Sequence, residues 1–140
     1  MKSQLKTIKV IFYLFAFVLL FTNCEKYTTP NKIDKKLTKG TWRIGKAVVG
    51  NDNITSLYSG YLFKFTSNKN IEVSGTVVTS GSWYRGNDKN PVILFLSLPA
   101  SSPELYIFSD DWKVSQLSDS QMVMRRNDSS EDELTFRKVG

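Results

Sequence analysis

Residues 61–73 read YLFKFTSNKNIEV, and this stretch decides the fold. Tyr61, Phe63 and Phe65 occupy every second position of the first run, with other residues between them. Successive side chains of a strand point to opposite faces, so this alternation predicts a β-strand with one apolar face. A second alternating run, IEV, follows the polar TSNKN segment, and two such runs separated by a short turn predict a β-hairpin.

The rest of residues 40–140 repeats this pattern. Short runs rich in β-branched and aromatic residues are separated by turn clusters such as GNDN, RGNDKN and PASSP, and no ten-residue amphipathic helix pattern interrupts them. The predicted strands are Thr41–Val49, Tyr61–Thr66, Asn70–Val78, Gly81–Arg85, Val92–Leu98, Leu105–Phe108, Trp112–Leu117, Gln121–Arg126 and Glu133–Val139.

This pattern predicts an all-β fold. An open sheet of eight or nine strands exposes long edges, so the sheet is expected to close on itself. We predict a small antiparallel up-and-down β-barrel of eight or nine strands. Sequential hairpins are also compatible with a sheet folded on itself, so a β-sandwich is the alternative.

The N-terminal segment predicts export. Three lysines precede an apolar run of 12 residues at positions 10–21, which is too short for a transmembrane helix of about 20 residues and has the length of a signal peptide core. The run leads directly to Cys24, and Phe21-Thr-Asn-Cys24 resembles a bacterial lipobox, in which cleavage exposes a cysteine that carries diacylglycerol. We predict a lipoprotein signal peptide at residues 1–23, a lipidated Cys24 followed by a flexible tether to residue 39, and the barrel domain at 40–140.

The tether predicted at residues 25–39, EKYTTPNKIDKKLTK, has few apolar residues and no sustained periodicity. Fifteen residues reach about 50 Å when fully extended. Two or three acyl chains at Cys24 provide a durable membrane anchor. Cys24-Glu25-Lys26 looks like the start of many Bacteroidota lipoproteins, which implies a place in the cell envelope, at the outer membrane.

Charge and composition exclude several classes of function. The formal net charge is +6, but residues 40–140 contain 11 basic and 11 acidic residues, so we expect no nucleic-acid partner. The chain has no histidine and one cysteine, which removes the usual catalytic triads, most zinc sites and any internal disulfide. Asp110 and Asp111 lack the spacing of a calcium loop and are expected in a solvated turn. We therefore expect neither an enzyme nor a bound metal or cofactor.

The segment Leu37-Thr-Lys-Gly-Thr-Trp42 looks like the start of a lipocalin, where a Gly-x-Trp triplet opens the first strand and the tryptophan closes the barrel floor. The runs around Trp112, Met122 and Leu134 resemble the C-terminal half of the lipocalin-like domains found in Bacteroidota lipoproteins. The resemblance covers most of residues 37–140 and implies a barrel with an apolar interior. It also implies an arginine stacked on the floor tryptophan, for which the candidates are Arg125, Arg126 and Arg137.

The predicted function is the binding of a small hydrophobic ligand by inward-facing aromatic side chains: Trp42, Tyr61, Phe63, Phe65, Trp83 and Trp112. The alternative role of these side chains is to fill the core. The alternative function is that of an envelope or surface interaction protein, such as a hydrolase inhibitor, which contacts a protein or glycan through loops such as Gly50–Ser59 and Asp88–Pro91.

Overall fold

The computed structural model describes residues 28–88 and 91–140. The predicted signal peptide, Cys24 and the first residues of the predicted tether lie outside the described residues. Nine antiparallel strands form one sheet in the order β2-β1-β3-β4-β5-β6-β7-β8-β9, and β1 also pairs with β9. Eight strands therefore form a closed barrel, with β2 as a short extra strand. This confirms the predicted all-β barrel in preference to the sandwich.

The strands follow one another around the barrel, and in the described residues one short helix precedes them and two short helical segments lie between them. Helix α1 (Pro30–Leu37) precedes the sheet, the 3-10 helix η1 (Thr55–Tyr58) lies between β2 and β3, and α2 (Pro103–Tyr106) lies between β6 and β7. The strands are β1 (Thr41–Val49), β2 (Asp52–Asn53), β3 (Tyr61–Phe65), β4 (Asn70–Gly75), β5 (Thr79–Arg85), β6 (Ile93–Ser97), β7 (Asp110–Leu117), β8 (Gln121–Arg126) and β9 (Glu133–Val139).

The β3–β4 hairpin is formed as predicted, with the predicted apolar faces. Phe63 pairs with Val73, Phe65 pairs with Ile71, and all four side chains are buried. The other end of this hairpin requires glycine at position 75, because its φ is +104° and a Cβ there would lie 1.8 Å from the carbonyl oxygen of Gly60. The two strands therefore approach more closely at this point than any side chain permits.

The prediction of an irregular tether is wrong for residues 30–37, which form α1. Pro30 stands in the first turn, where its fixed φ favours a helix start. Ile33 and Leu37 lie one turn apart and are fully buried in the barrel core. Two apolar positions are too few to produce a recognisable periodicity in the sequence. Within the described residues no helix is long and apolar enough to cross a membrane.

The strand predicted at Leu105–Phe108 is also wrong, because the chain forms α2 there. Pro103 begins the helix, and Leu105 and Phe108 are buried three positions apart, as one helical turn allows. Four residues do not distinguish a helical from an extended period. Asp110 and Asp111 begin β7 and do not form the expected turn.

The two ends of the barrel are both covered. The α1 end consists of α1 and the connections at residues 38–40, 66–69, 86–88, 91–92 and 118–120. The far end consists of η1, α2 and the connections at residues 50–60, 76–78, 98–109 and 127–132. At the far end, Tyr58 of η1 packs against Phe108 with ring centroids 4.8 Å apart and donates a hydrogen bond to the carbonyl oxygen of Glu104. Residues 28–88 and 91–140 thus contain the nine strands of the closed sheet, the segments that cover both of its ends, and the hydrophobic core between them.

Candidate functional site

The barrel interior contains all six aromatic residues predicted to bind a ligand. Their exposed fractions lie between 0% and 4%. Phe65 is the centre of the group, because its ring lies edge-on to Trp83 and Phe136 at centroid distances of 6.0 and 5.4 Å. Phe63 contacts the same Phe136 ring at 5.3 Å. The interior side chains of three different strands therefore meet directly.

The polar atoms of the three tryptophans are also used within the protein. The indole N–H groups of Trp42, Trp83 and Trp112 donate to backbone carbonyl oxygens at 2.9, 3.2 and 3.0 Å. A cavity large enough for a ligand would leave its lining accessible to a water-sized molecule, and these six side chains are not accessible. Their burial favours the alternative that they fill the core, and ligand binding by them stays a prediction.

The floor tryptophan differs from the expectation that the lipocalin resemblance raised. The cation over Trp42 is Lys138, whose Nζ lies 5.6 Å from the ring centroid. Of the three candidate arginines, Arg126 does stack on a tryptophan, but on Trp112, with its guanidinium carbon 4.9 Å from the ring centroid. The predicted arginine–tryptophan contact therefore involves a different tryptophan.

Arg126 is also the centre of an ion-pair cluster toward the far end. It pairs with Asp110, its Nη2 donates to the carbonyl oxygen of Ile107 at 3.2 Å, and its Nε lies 2.9 Å from the carboxylate of Asp132. The geometry of the Nε contact does not satisfy a hydrogen bond, so this contact is an ion pair only. Asp132, which is 6% exposed, additionally accepts a hydrogen bond from the amide of Gly50. This cluster ties the β8–β9 connection to β7.

The described residues contain no group of three or more His, Cys, Asp or Glu side chains placed to hold a metal ion. The carboxylates that attract attention in the sequence are engaged elsewhere: Asp110 pairs with Arg126, and Asp111 accepts a hydrogen bond from Asn127 at 2.8 Å. Tyr58 is engaged in the same way. Burial raises its pKa to about 12, helped by the nearby Glu104 carboxylate, so Tyr58 remains a hydrogen-bond donor at neutral pH.

A cleft of about 260 Å³ lies on the outside of the barrel, where β1 separates from β3. These two strands pair only at Trp42 and Phe63, and farther along β1 the 3-10 helix η1 takes the place of a neighbouring strand. The β1–β9 pairing is irregular at Gly45, next to the same gap. The cleft is lined by Arg43, Ile44, Gly45, Thr55, Ser56, Tyr58, Ser59 and Arg137.

Two arginines dominate the chemistry of this cleft. Arg43 and Arg137 are directly opposite each other in the β1–β9 register, and both are exposed. Neither forms an ion pair with another residue in the described part of the chain. Like charges directly opposite on neighbouring strands are destabilising. The pair therefore forms a site of unneutralised positive charge.

Gly45 shapes the cleft. A Cβ at this position would lie 2.7 Å from both Cγ and Cδ of Arg137. The absent side chain thus lets the Arg137 side chain lie over β1 at Gly45. Ser56 and Ser59 line the cleft together with the two arginines, so hydroxyl and guanidinium donors belong to the same site.

The sequence alone does not indicate that the two arginines form a pair. It suggests Arg137 only as a stacking partner for the floor tryptophan, and it suggests no functional role for Arg43. The loop Gly50–Ser59, predicted to contact a partner, does supply one wall of the cleft. The other predicted contact loop, Asp88–Pro91, lies at the α1 end, and residues 89 and 90 are outside the described part.

Fold and site together define a closed, eight-stranded antiparallel barrel with an aromatic interior and a basic cleft on its outer wall. The solved structure of a DUF4847 family protein from Bacteroides vulgatus ATCC 8482 is similar, with a TM-score of 0.51 and 10% sequence identity over 75% of this chain and 96% of that one. At this identity the likeness shows the fold alone. No protein-family model and no curated protein matches the sequence.

Proposed function

We propose that this chain is a lipid-anchored envelope interaction protein that recognises an anionic group of a glycan through the Arg43–Arg137 cleft. The observation that carries the proposal is a pair of exposed, unneutralised arginines that are cross-strand partners and line one cleft with two serines. Guanidinium groups bind carboxylate and phosphate oxygens with charge-assisted hydrogen bonds. The volume of about 260 Å³ suits one acidic sugar residue or a phosphate.

Recognition on the outer wall also agrees with the use of the interior. The aromatic side chains that were candidates for binding a hydrophobic ligand contact one another, and both ends of the barrel are covered. The outer surface is therefore the better candidate for specific contacts.

Anchoring at Cys24 is part of the proposal, and α1 changes its geometry. The predicted tether of 15 residues reduces to the six residues from Glu25 to Pro30, where α1 begins. Six residues span about 20 Å at full extension, in place of about 50 Å. The barrel is then held close to the membrane surface.

The cleft is tested by NMR titration of residues 28–140 with glucuronate and with inorganic phosphate, and with neutral glucose as the ligand control. We expect chemical-shift changes at the amides of Gly45, Ser56 and Ser59, with a Kd on the order of millimolar for two charge-assisted contacts. Arg43→Gln and Arg137→Gln each remove one contact, so each is expected to weaken binding about tenfold or more.

Lys64→Gln is the matched control, because it removes one positive charge from an exposed position on the same outer wall. It should leave the affinity within about twofold, since surface pairs contribute little. Equal shifts with glucose, or equal weakening by all three substitutions, would contradict recognition by the arginine pair.

Anchoring is tested separately by metabolic labelling with a radioactive fatty acid in a bacterial host. The wild-type chain should incorporate label, and Cys24→Ser should not. Label that persists in the Cys24→Ser chain would refute lipidation at this position and would leave the cleft proposal unaffected.

A further inference from the structure

Charged side chains are segregated between the two ends of the barrel when the neutral residues 40–140 are counted together with residues 30–39, which add four lysines and one aspartate. The α1 end, with the strand termini that border it, has seven basic and three acidic side chains: Lys32, Lys35, Lys36, Lys39, Lys69, Arg85 and Lys138 against Asp34, Asp88 and Asp119. The far end, counted in the same way, has two basic and eight acidic ones: Arg125 and Arg126 against Asp52, Glu104, Asp110, Asp111, Asp128, Glu131, Asp132 and Glu133.

Two of the three acidic groups at the α1 end are already neutralised there. The carboxylate of Asp34 lies 3.0 Å from Nζ of Lys69 and 2.9 Å from Nη2 of Arg85. Asp119 pairs with Lys36 at 2.8 Å. The lysines that have no acidic partner therefore give the α1 end an excess of positive charge.

Three of these lysines point away from the barrel. Lys32, Lys35 and Lys39 are exposed, and none forms an ion pair with another of the residues that the structure describes. Ile33 and Leu37 hold α1 to the core through its other side. The lysine amines of α1 and of residue 39 thus face outward, while the apolar side of α1 packs against the core.

The chain that leads to Cys24 also leaves from this end. The side-chain oxygen of Asn31 accepts a hydrogen bond from Nη2 of Arg85 at 3.3 Å, which places the start of α1 beside the end of β5. If Cys24 is lipidated, as the proposed function has it, six residues keep this end within about 20 Å of the bilayer. The end can therefore come within the Debye length of about 10 Å at 0.1 M salt, over which surface charges interact.

We propose that the α1 end of the barrel lies on anionic phospholipid headgroups. Lys32, Lys35 and Lys39 contact the lipid phosphates, and the acidic far end points away from the membrane because the same surface repels it. This contact turns a tethered barrel into one with a fixed orientation. Only its distance from the bilayer rests on the proposed lipidation, because the attraction itself requires no acyl chain.

The test is co-sedimentation of residues 28–140, which lack Cys24, with vesicles of phosphatidylcholine containing 30% phosphatidylglycerol. Each basic residue near an anionic surface contributes about a fivefold change in partitioning, equivalent to about 1 kcal/mol. We expect the triple substitution Lys32→Gln, Lys35→Gln and Lys39→Gln to lower partitioning about 100-fold. Raising the salt concentration from 50 to 500 mM should also weaken the binding of the wild-type protein to these vesicles.

The matched control is Lys64→Gln, Lys113→Gln and Arg125→Gln, which removes the same total charge from the wall and far end of the barrel. The control variant should bind the vesicles much more tightly than the variant that lacks Lys32, Lys35 and Lys39. Circular dichroism should show that both variants are folded. Equal losses in the two triple variants would show a net-charge effect and overturn the proposal. Equal wild-type binding to pure phosphatidylcholine vesicles would overturn it too.

Discussion

Leu37→Ala tests whether α1 is a structural part of the barrel. The Leu37 side chain is fully buried, one helical turn from Ile33, so its truncation removes apolar contact and leaves a cavity under the helix. Buried leucine-to-alanine changes cost 2–5 kcal/mol, and we expect about 3 kcal/mol here. In a domain of roughly this size each kcal/mol lowers Tm by about 4 °C, so the expected shift is about 12 °C.

Urea unfolding of residues 28–140, followed by tryptophan fluorescence, measures this change. Trp42 is a local reporter because its indole N–H donates to the carbonyl oxygen of Leu37, a backbone contact that the substitution retains. Lys35→Ala, at an exposed position of the same helix, is the control and should change the free energy of unfolding by less than about 0.5 kcal/mol. If Leu37→Ala costs no more than the control, α1 does not pack on the barrel and the segment behaves as a tether.

Burial raises the pKa of Asp34, but hydrogen bonds from its two cationic partners outweigh this effect, so the pKa is below its ordinary value of 3.8. Asp34→Asn should therefore cost about 1 kcal/mol at pH 7, and the difference from wild type should shrink as the pH falls below 3.8, measured by urea unfolding across pH; a constant difference would contradict this assignment. Arg126→Met leaves Asp132 buried without its cation and should cost about 3 kcal/mol in the same assay, whereas a loss under 1 kcal/mol would show that the cluster contributes little. Tyr58→Phe removes the hydrogen bond to the Glu104 carbonyl, with an expected cost of about 1 kcal/mol. In an ultraviolet titration it should also remove a tyrosine that ionises near pH 12, and an unchanged titration curve would refute that pKa.

The fold was predictable where the side-chain period was unambiguous. The predicted bounds of β1, β8 and β9 are those of the structure. Each of these strands has two buried apolar residues two positions apart, at 42 and 44, 122 and 124, or 134 and 136, and turn residues flank each strand. The wrong assignments at α1 and α2 fall on short elements that bury two residues or fewer on a helical turn, so local pattern carries little information there and packing decides.

The predicted interior was correct for a related reason. Trp42, Phe63 and Trp83 lie on strands, where alternate residues face the same side of the sheet. The positions of the apolar residues along each strand therefore show which side faces the core. The outer cleft was not predictable. Arg43 and Arg137 are distant in the chain and become neighbours only because β1 pairs with β9. The predicted barrel closure implies that pairing, but a single sequence does not show its register.

The pairing of the first long strand with the last has a consequence for biogenesis. Thr41 pairs with Val139, so the barrel cannot be completed until nearly the whole chain is available. Contacts between residues so far apart in sequence form late and make folding slow. If the chain is exported as proposed, it would stay unfolded while it crosses the membrane, and the barrel would close only after β9 had emerged on the other side.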